Sequence, residues 1–215
     1  MTLKKLYIEF EKKCNKFTLR ANEILINKHT CTQWEFNYLT ETLVSDLWQA
    51  WCLFCRKVVI NSCQGTKTRS NIILPALSLP DISTVRLLYK VSRNRKGFSI
   101  STNGHLNFQG HHDITWGDSN SLIQAITYLN PVNKNNLISA FGSSNISKHI
   151  QDTRNFCAHK NKGTLDNCLT FNSDYDFSRI KSPIEIIWST HNDTNEYAII
   201  AWIYYCQLMA DFATG

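Results

Sequence analysis

The chain has 215 residues, 43% of them hydrophobic and 12% aromatic, which excludes a disordered chain and gives enough apolar surface for the core of one domain, 1–215. Lys plus Arg number 23 against 17 Asp plus Glu, so the formal charge is +6, a mild excess that favours an anionic partner. No apolar run is long enough to span a membrane, and Glu9, Glu11, Lys12 and Lys13 interrupt any leader, so the expected location is cytoplasmic with no membrane partner.

The first expected helix covers residues 3–27, with Leu6, Phe10, Cys14, Phe17, Ala21 and Ile24 on a helical period. Lys28, His29 and Thr30 form a turn. Thr32 or Cys31 then starts a second helix that runs to residue 63. Its stripe is Phe36, Leu39, Leu43, Leu47, Trp51, Phe54 and Val58, and Gly65 ends it. Two long helices in succession, with helical pattern further on, predict an all-α antiparallel bundle.

Residues 66–117 break this pattern and read as an irregular insertion, punctuated by Pro75, Pro80, Gly97, Gly104 and Gly110. Asp81-Ile82-Ser83 can cap a short helix over 84–92. Phe98-Ser-Ile-Ser and His105-Leu-Asn-Phe, joined through Asn103-Gly104, predict a small β-hairpin. Arg86, Lys90, Arg93, Arg95 and Lys96 cluster beside Tyr89 and Phe98. They form either a phosphate-binding patch with aromatics for stacking or a solvated face. His111-His112-Asp113 is read as a loop cluster that orders the entry to the next helix, because adjacent histidines do not readily share one ion.

The eight cysteines are expected to be reduced, mostly core, thiols. Cys52-x-x-Cys55 alone has metal-like spacing, lies inside a helical pattern and lacks a second pair, so no metal and no cofactor is expected.

The most informative stretch is Arg154-Asn155-Phe156-Cys157-Ala158-His159. Ser143 or Ser144 can cap its helix. Ile146, Ile150, Thr153 and Cys157 make a stripe for the core. At about 100° per residue, Asn155 and His159 fall opposite, with Gln151 and Lys162 close by and Arg154 and Ala158 on the flank. Histidine gains and loses a proton near neutral pH, and arginine offers a planar fork that fits a phosphate. RNA carries its own nucleophile, the 2′-OH. A base or acid, a phosphate clamp and an orienting amide suffice to cut it without a metal. The bland alternative is a solvated helix face. Lys160 and Lys162 follow and can attract RNA, or simply favour the helix C-terminus.

Residues 164–182 read as polar loop, 183–188 as a short extended stretch, and Asp193 or Thr194 as the cap of a last helix to 212. There is no Gly-x4-Gly-Lys-Ser/Thr loop, no Gly-x-Ser-x-Gly elbow and no His-x3-His pair. A Cys157 nucleophile beside His159 is discounted because Cys157 falls on the core stripe.

Arg-Asn-x-x-Ala-His resembles the Arg-x4–6-His motif of the HEPN superfamily. Trp116-Gly117-Asp118, the helical stretch 119–128, Leu129-Asn130-Pro131 and 137–142 are similar in order to its RiboL-PSP-type branch, as are Trp48, Trp51 and Phe54 in an early helix. The match is close over 116–160 and loose elsewhere. The resemblance implies a HEPN-like helical bundle that pairs as a homodimer, with Arg154, Asn155 and His159 of both copies in one composite cleft. It also implies a metal-independent endoribonuclease leaving 2′,3′-cyclic phosphate and 5′-OH ends on transfer or messenger RNA. It further implies a toxin or antiphage effector restrained by a regulatory or antitoxin partner. The other class to weigh is a non-catalytic helical module that binds RNA or protein.

Overall fold

Thr32 and Glu35 start the longest helix. The Thr32 backbone N–H donates to Glu35 Oε2 at 2.8 Å, and the Glu35 N–H donates back to Thr32 Oγ1 at 3.2 Å. This reciprocal cap satisfies two donors that a helix start otherwise leaves open. It also holds the Glu35 carboxyl below its ordinary range, chiefly through the Thr32 backbone N–H. The computed structural model describes residues 1–93, 113–177 and 179–215, and these are all-α apart from one small strand pair.

In chain order, α1 (Leu3–Ile26) leads through a 3-10 turn at Asn27–His29 to α2 (Gln33–Gln64). β1 (Thr66–Lys67) and β2 (Ile73–Leu74) pair antiparallel, Thr66 with Leu74 and Lys67 with Ile73. Then come α3 (Thr84–Arg93), α4 (Ser119–Leu129), α5 (Lys134–Phe141), α6 (Ile146–His159), α7 (Lys162–Leu169), α8 (Pro183–Ile187) and α9 (Ala198–Thr214). The expected hairpin over 98–108, the basic residues Arg95 and Lys96, the side chain of Arg93, and His111-His112 lie outside the described residues. The strand pair that is described falls earlier in the same insertion.

Two compact units emerge. The first comprises Met1–Ile8, Cys52–Ser143 and Met209–Gly215; the second comprises Glu9–Trp51 and Ser144–Leu208. Helices α1, α2 and α9 each contribute residues to both.

In the second unit, α1 and α2 run antiparallel: Phe10 meets Trp51 with ring centroids 5.8 Å apart, and Arg20 pairs with Asp46 at 2.6 Å. Phe10, Cys14, Ala21 and Ile24 are buried as their spacing predicts, as are Phe36, Leu43, Leu47 and Trp51. Each fully buried large apolar side chain contributes about 1.5–3 kcal/mol. Phe17 is only half-buried, and Leu39 stands exposed, because the inward face of α2 passes through Phe36 and Thr40 instead. Thr40 Oγ1 accepts the Trp188 indole N–H at 3.1 Å, which gives a polar use to a core position.

In the first unit, Asp118 caps α4 by accepting the Ser121 N–H at 2.8 Å. Asp113 Oδ1 accepts both the Ile114 N–H at 3.0 Å and the Trp116 indole N–H at 2.7 Å, and its other oxygen lies 3.5 Å from Arg56. Asp113 therefore fixes the approach to α4. Ser83 caps α3 by accepting the Arg86 N–H at 3.3 Å.

Three expectations are corrected. The polar stretch 164–182 is not all loop: α7 forms because Asn161 and Thr164 close a capping box. Residues 183–187 are helical, not extended, because Pro183 starts the turn with a preset φ and Ser182 and Glu185 form a second box. The last helix begins at Ala198, not 194, since the His191 N–H bonds Glu196 O at 2.8 Å and holds residues 191–196 in a turn.

Gly65 leaves α2 with φ +87°, and a Cβ there would meet the Ala76 backbone nitrogen at 2.9 Å. Gly65→Ala combines left-handed strain with a backbone clash. It is expected to lower stability by about 1–3 kcal/mol, read as a drop in urea midpoint with unchanged slope.

Candidate functional site

The rotation of α6 about its axis sets what the candidate residues can reach. Ile146, His149, Ile150, Thr153 and Phe156 are buried, at 5% exposure or less. Arg154 and Asn155 are half-buried, and Ala158 and His159 are exposed. The expected segregation of Arg, Asn and His from the core stripe is observed. The stripe is turned slightly, however: Phe156, not Cys157, is its last deep residue, because the bulkier aromatic takes the core position. The N-cap position is Asn145, whose side chain makes no cap bond, and the expected serine acts from one residue earlier, Ser144 Oγ accepting the Ile146 N–H at 3.2 Å.

A buried polar chain holds this rotation. Trp202 Nε1 donates to Tyr175 Oη at 2.7 Å, and Tyr175 Oη lies 2.8 Å from His149 Nδ1. An indole nitrogen only donates, so the phenol oxygen accepts from it, while the direction of its bond with Nδ1 depends on the imidazole tautomer. The other ring nitrogen, Nε2, faces Asp174 Oδ2 at 3.6 Å. Phe171 stacks on the imidazole at a centroid distance of 4.2 Å. Burial first, then His191, lowers the His149 pKa to about 4 despite the opposing pull of Asp174, so His149 is neutral at pH 7 and its contact with Asp174 is not then an ion pair. Burial pushes the Tyr175 phenol above its ordinary range. His149 escaped the sequence reading although its spacing from Ile146, Thr153 and Phe156 places it on the apolar stripe.

At the other end, the helix closes at Lys160 with φ +43°. The Arg154 guanidinium donates from Nη1 to Asn155 Oδ1 at 3.2 Å, so the two side chains lie together. Among the described residues no carboxylate is within ion-pair distance of Arg154. Asn155 and His159 are one turn apart on one face, whereas Arg154 and His159 are about 140° apart around the axis and about 7.5 Å along it. Within one chain they flank a surface and do not converge on a point.

The basic candidates divide. Lys160 Nζ lies 2.9 Å from Glu41 Oε1, so its charge is matched by α2. Lys162 is exposed on the first turn of α7. Arg86 and Lys90 belong to α3 in the first unit, both half-buried, and Tyr89 is only 8% exposed, so it is not available for stacking a base. Arg86 lies over the Tyr89 ring, 5.7 Å from its centroid. Among the described residues there is no group of three or more His, Cys, Asp or Glu that can hold a metal ion. Of the Cys52/Cys55 pair, Cys55 is buried and Cys52 half-buried. No described helix is long and apolar enough to cross a membrane. Compared with protein-family models, with curated proteins and with solved structures, the chain matches none.

Two measurements check this geometry. The His149 pKa is about 4 folded against the ordinary 6.5, so the unfolded chain takes up the proton first as pH falls. Stability from this group is complete above about pH 6.5 and is lost as pH falls through 4, by about 3 kcal/mol in all. Urea titrations at pH 7.5 and 4 should show a smaller acid loss in His149→Gln than in wild type. Equal losses would contradict the buried neutral ring. Separately, burial, then Glu41, pushes the Cys157 thiol up to about 12. Iodoacetamide at pH 8 should leave Cys157 unlabelled by mass spectrometry while the chain stays folded.

Proposed function

We propose that this protein is a metal-independent endoribonuclease of HEPN type, acting as a homodimer on RNA. The observation that carries the reading is an intact Arg-Asn-x-x-Ala-His sequence on a helix whose opposite face is buried, leaving Arg154, Asn155, Ala158 and His159 accessible. Ala158 adds no bulk between Arg154 and His159, so a ribose-phosphate strand can approach the helix.

In the proposed reaction His159 takes the proton of a ribose 2′-OH. The 2′-oxygen attacks the adjacent phosphorus, and the bond to the 5′-oxygen breaks. Arg154, unopposed by a carboxylate among the described residues, stabilises the added charge on the phosphoryl oxygens. Asn155, bonded to Arg154, orients that fork. The departing 5′-oxygen needs a proton, and a second histidine supplies it. Two α6 helices meeting across a dimer would present two His159 side chains, one as base and one as acid. The angular separation of Arg154 and His159 on a single helix favours the same arrangement, since a second copy brings complementary residues to one phosphate. The products are a 2′,3′-cyclic phosphate and a 5′-OH.

Single-stranded loops are the expected targets, as in transfer or messenger RNA, because an unpaired nucleotide can bring its 2′-OH in line. An unrestrained nuclease harms its host, so the proposed setting is a cytoplasmic toxin or antiphage effector held off by a regulatory partner.

The test is cleavage of total RNA, then purified transfer RNA, in EDTA. Wild type should cut. His159→Ala should lose a factor of about 10²–10⁴ and Arg154→Ala about 10²–10³, with unchanged thermal midpoint and sedimentation. Intact RNA with a sound dimer would favour a non-catalytic binding module. Sedimentation as one 24.8 kDa chain would remove the composite cleft.

A further inference from the structure

Trp34 and Tyr38 stand one helical turn apart near the start of α2, with rings 5.4 Å apart and within 6° of parallel. Trp34 is 71% exposed and Tyr38 56% exposed. The core takes nothing from them, because Phe36 and Thr40 are the buried positions of that turn. Two large aromatic surfaces are thus held flat, parallel and in water.

The surroundings say what fits there. The rim is polar and already satisfied: Gln33 Nε2 donates to Asn37 Oδ1 at 2.7 Å, Thr32 and Glu35 cap each other, and Thr42 Oγ1 donates to the Tyr38 carbonyl at 2.7 Å. The exposed ring area is on the order of 250 Å², well short of the roughly 800 Å² per partner that a stable protein interface buries. The rings stack on each other, so what is open is an outer ring face, a flat aromatic surface on which one nucleobase can stack. Position supplies the second argument. Residues 34, 38 and 41 share one face of an α-helix, spanning about 10 Å. Glu41 is the residue paired with Lys160, which directly follows His159. That ion pair offsets the Glu41 charge, and the other carboxylate beside the rings, Glu35, is turned into its own cap with Thr32, in a chain of net charge +6.

We propose that the Trp34–Tyr38 stack is a platform for an unpaired base of single-stranded RNA, placed beside the end of α6. Its role in selecting the cut site rests on the ribonuclease reading above; its binding of a base does not. A duplex hides its base faces and gains little from such a platform.

The experiment uses the full chain in EDTA with a labelled twelve-nucleotide 2′-O-methyl RNA, which resists 2′-OH attack, and its duplex form. Fluorescence anisotropy reads affinity. Wild type should bind the single strand more tightly than the duplex, with quenching of tryptophan emission. Trp34→Leu and Tyr38→Leu should each weaken single-strand binding roughly tenfold, leave duplex binding unchanged and keep the thermal midpoint. Trp34→Phe should recover part of the loss. Unchanged affinity in both leucine variants would overturn the platform, as would failure of wild type to bind any oligonucleotide. Conversion of a dimer to a monomer by either variant would also overturn it, making the rings an interface between copies. The two readings fail separately. Trp34-dependent binding by a protein that cuts no RNA would remove the nuclease and keep the platform. Cutting with the same KM in Trp34→Leu would keep the nuclease and remove the platform.

Discussion

One buried hydrogen-bonded chain, from the Trp202 indole through the Tyr175 phenol to the His149 imidazole, governs which side of α6 meets solvent. An α-helix packed by aliphatic contacts alone can turn a few degrees at small cost. A helix whose histidine must place Nδ1 within 2.8 Å of a fixed phenol has far less freedom, since breaking that bond strands buried polar groups. Arg154, Asn155 and His159 lie five to ten residues further along. Their exposure follows from that anchor together with Phe156, which fills the core at the same end. The capping box at Asn161 and the Lys160–Glu41 pair then fix where the helix stops.

The electrostatics at that stop are asymmetric in a useful way. Lys160 is matched by Glu41, while Arg154, among the described residues, is bonded to the neutral Asn155 amide and to no carboxylate. The cation that no described carboxylate opposes is the one whose planar fork suits a phosphate. Cys157, between them, is kept protonated by burial, so the thiol does not compete as a nucleophile. The proposed chemistry therefore falls to groups that titrate or clamp without a metal.

Much of this was legible from residue spacing. The two long helices have apolar periods running over five or more turns and a strong start at Thr32, so their bounds lie within a residue or two of expectation. The motif helix was equally readable, because Arg154, Asn155 and His159 lie off its apolar stripe. What spacing missed had physical causes. Helix α7 is built mostly from polar residues and depends on a local cap, so composition reads it as loop. The isoleucines of α8 favour strands, and only Pro183 with Ser182 and Glu185 turns them helical. His149 looked like one more polar residue because its partner Tyr175 is 26 positions away. Trp34 was not singled out, although its spacing from Phe36, Leu43 and Leu47 already places it opposite the apolar stripe.

The most direct measurement is the chemistry of the cut itself. A short RNA cleaved by the purified protein in EDTA is compared with a copy carrying 2′-O-methyl at the nucleotide before the cut, and the ends are identified by mass spectrometry. The expected products are a 2′,3′-cyclic phosphate and a 5′-OH, with cleavage at that bond abolished by the methyl group. Cleavage that survives the methyl group, ends bearing a 3′-OH and a 5′-phosphate, or RNA left intact would contradict the proposed reaction.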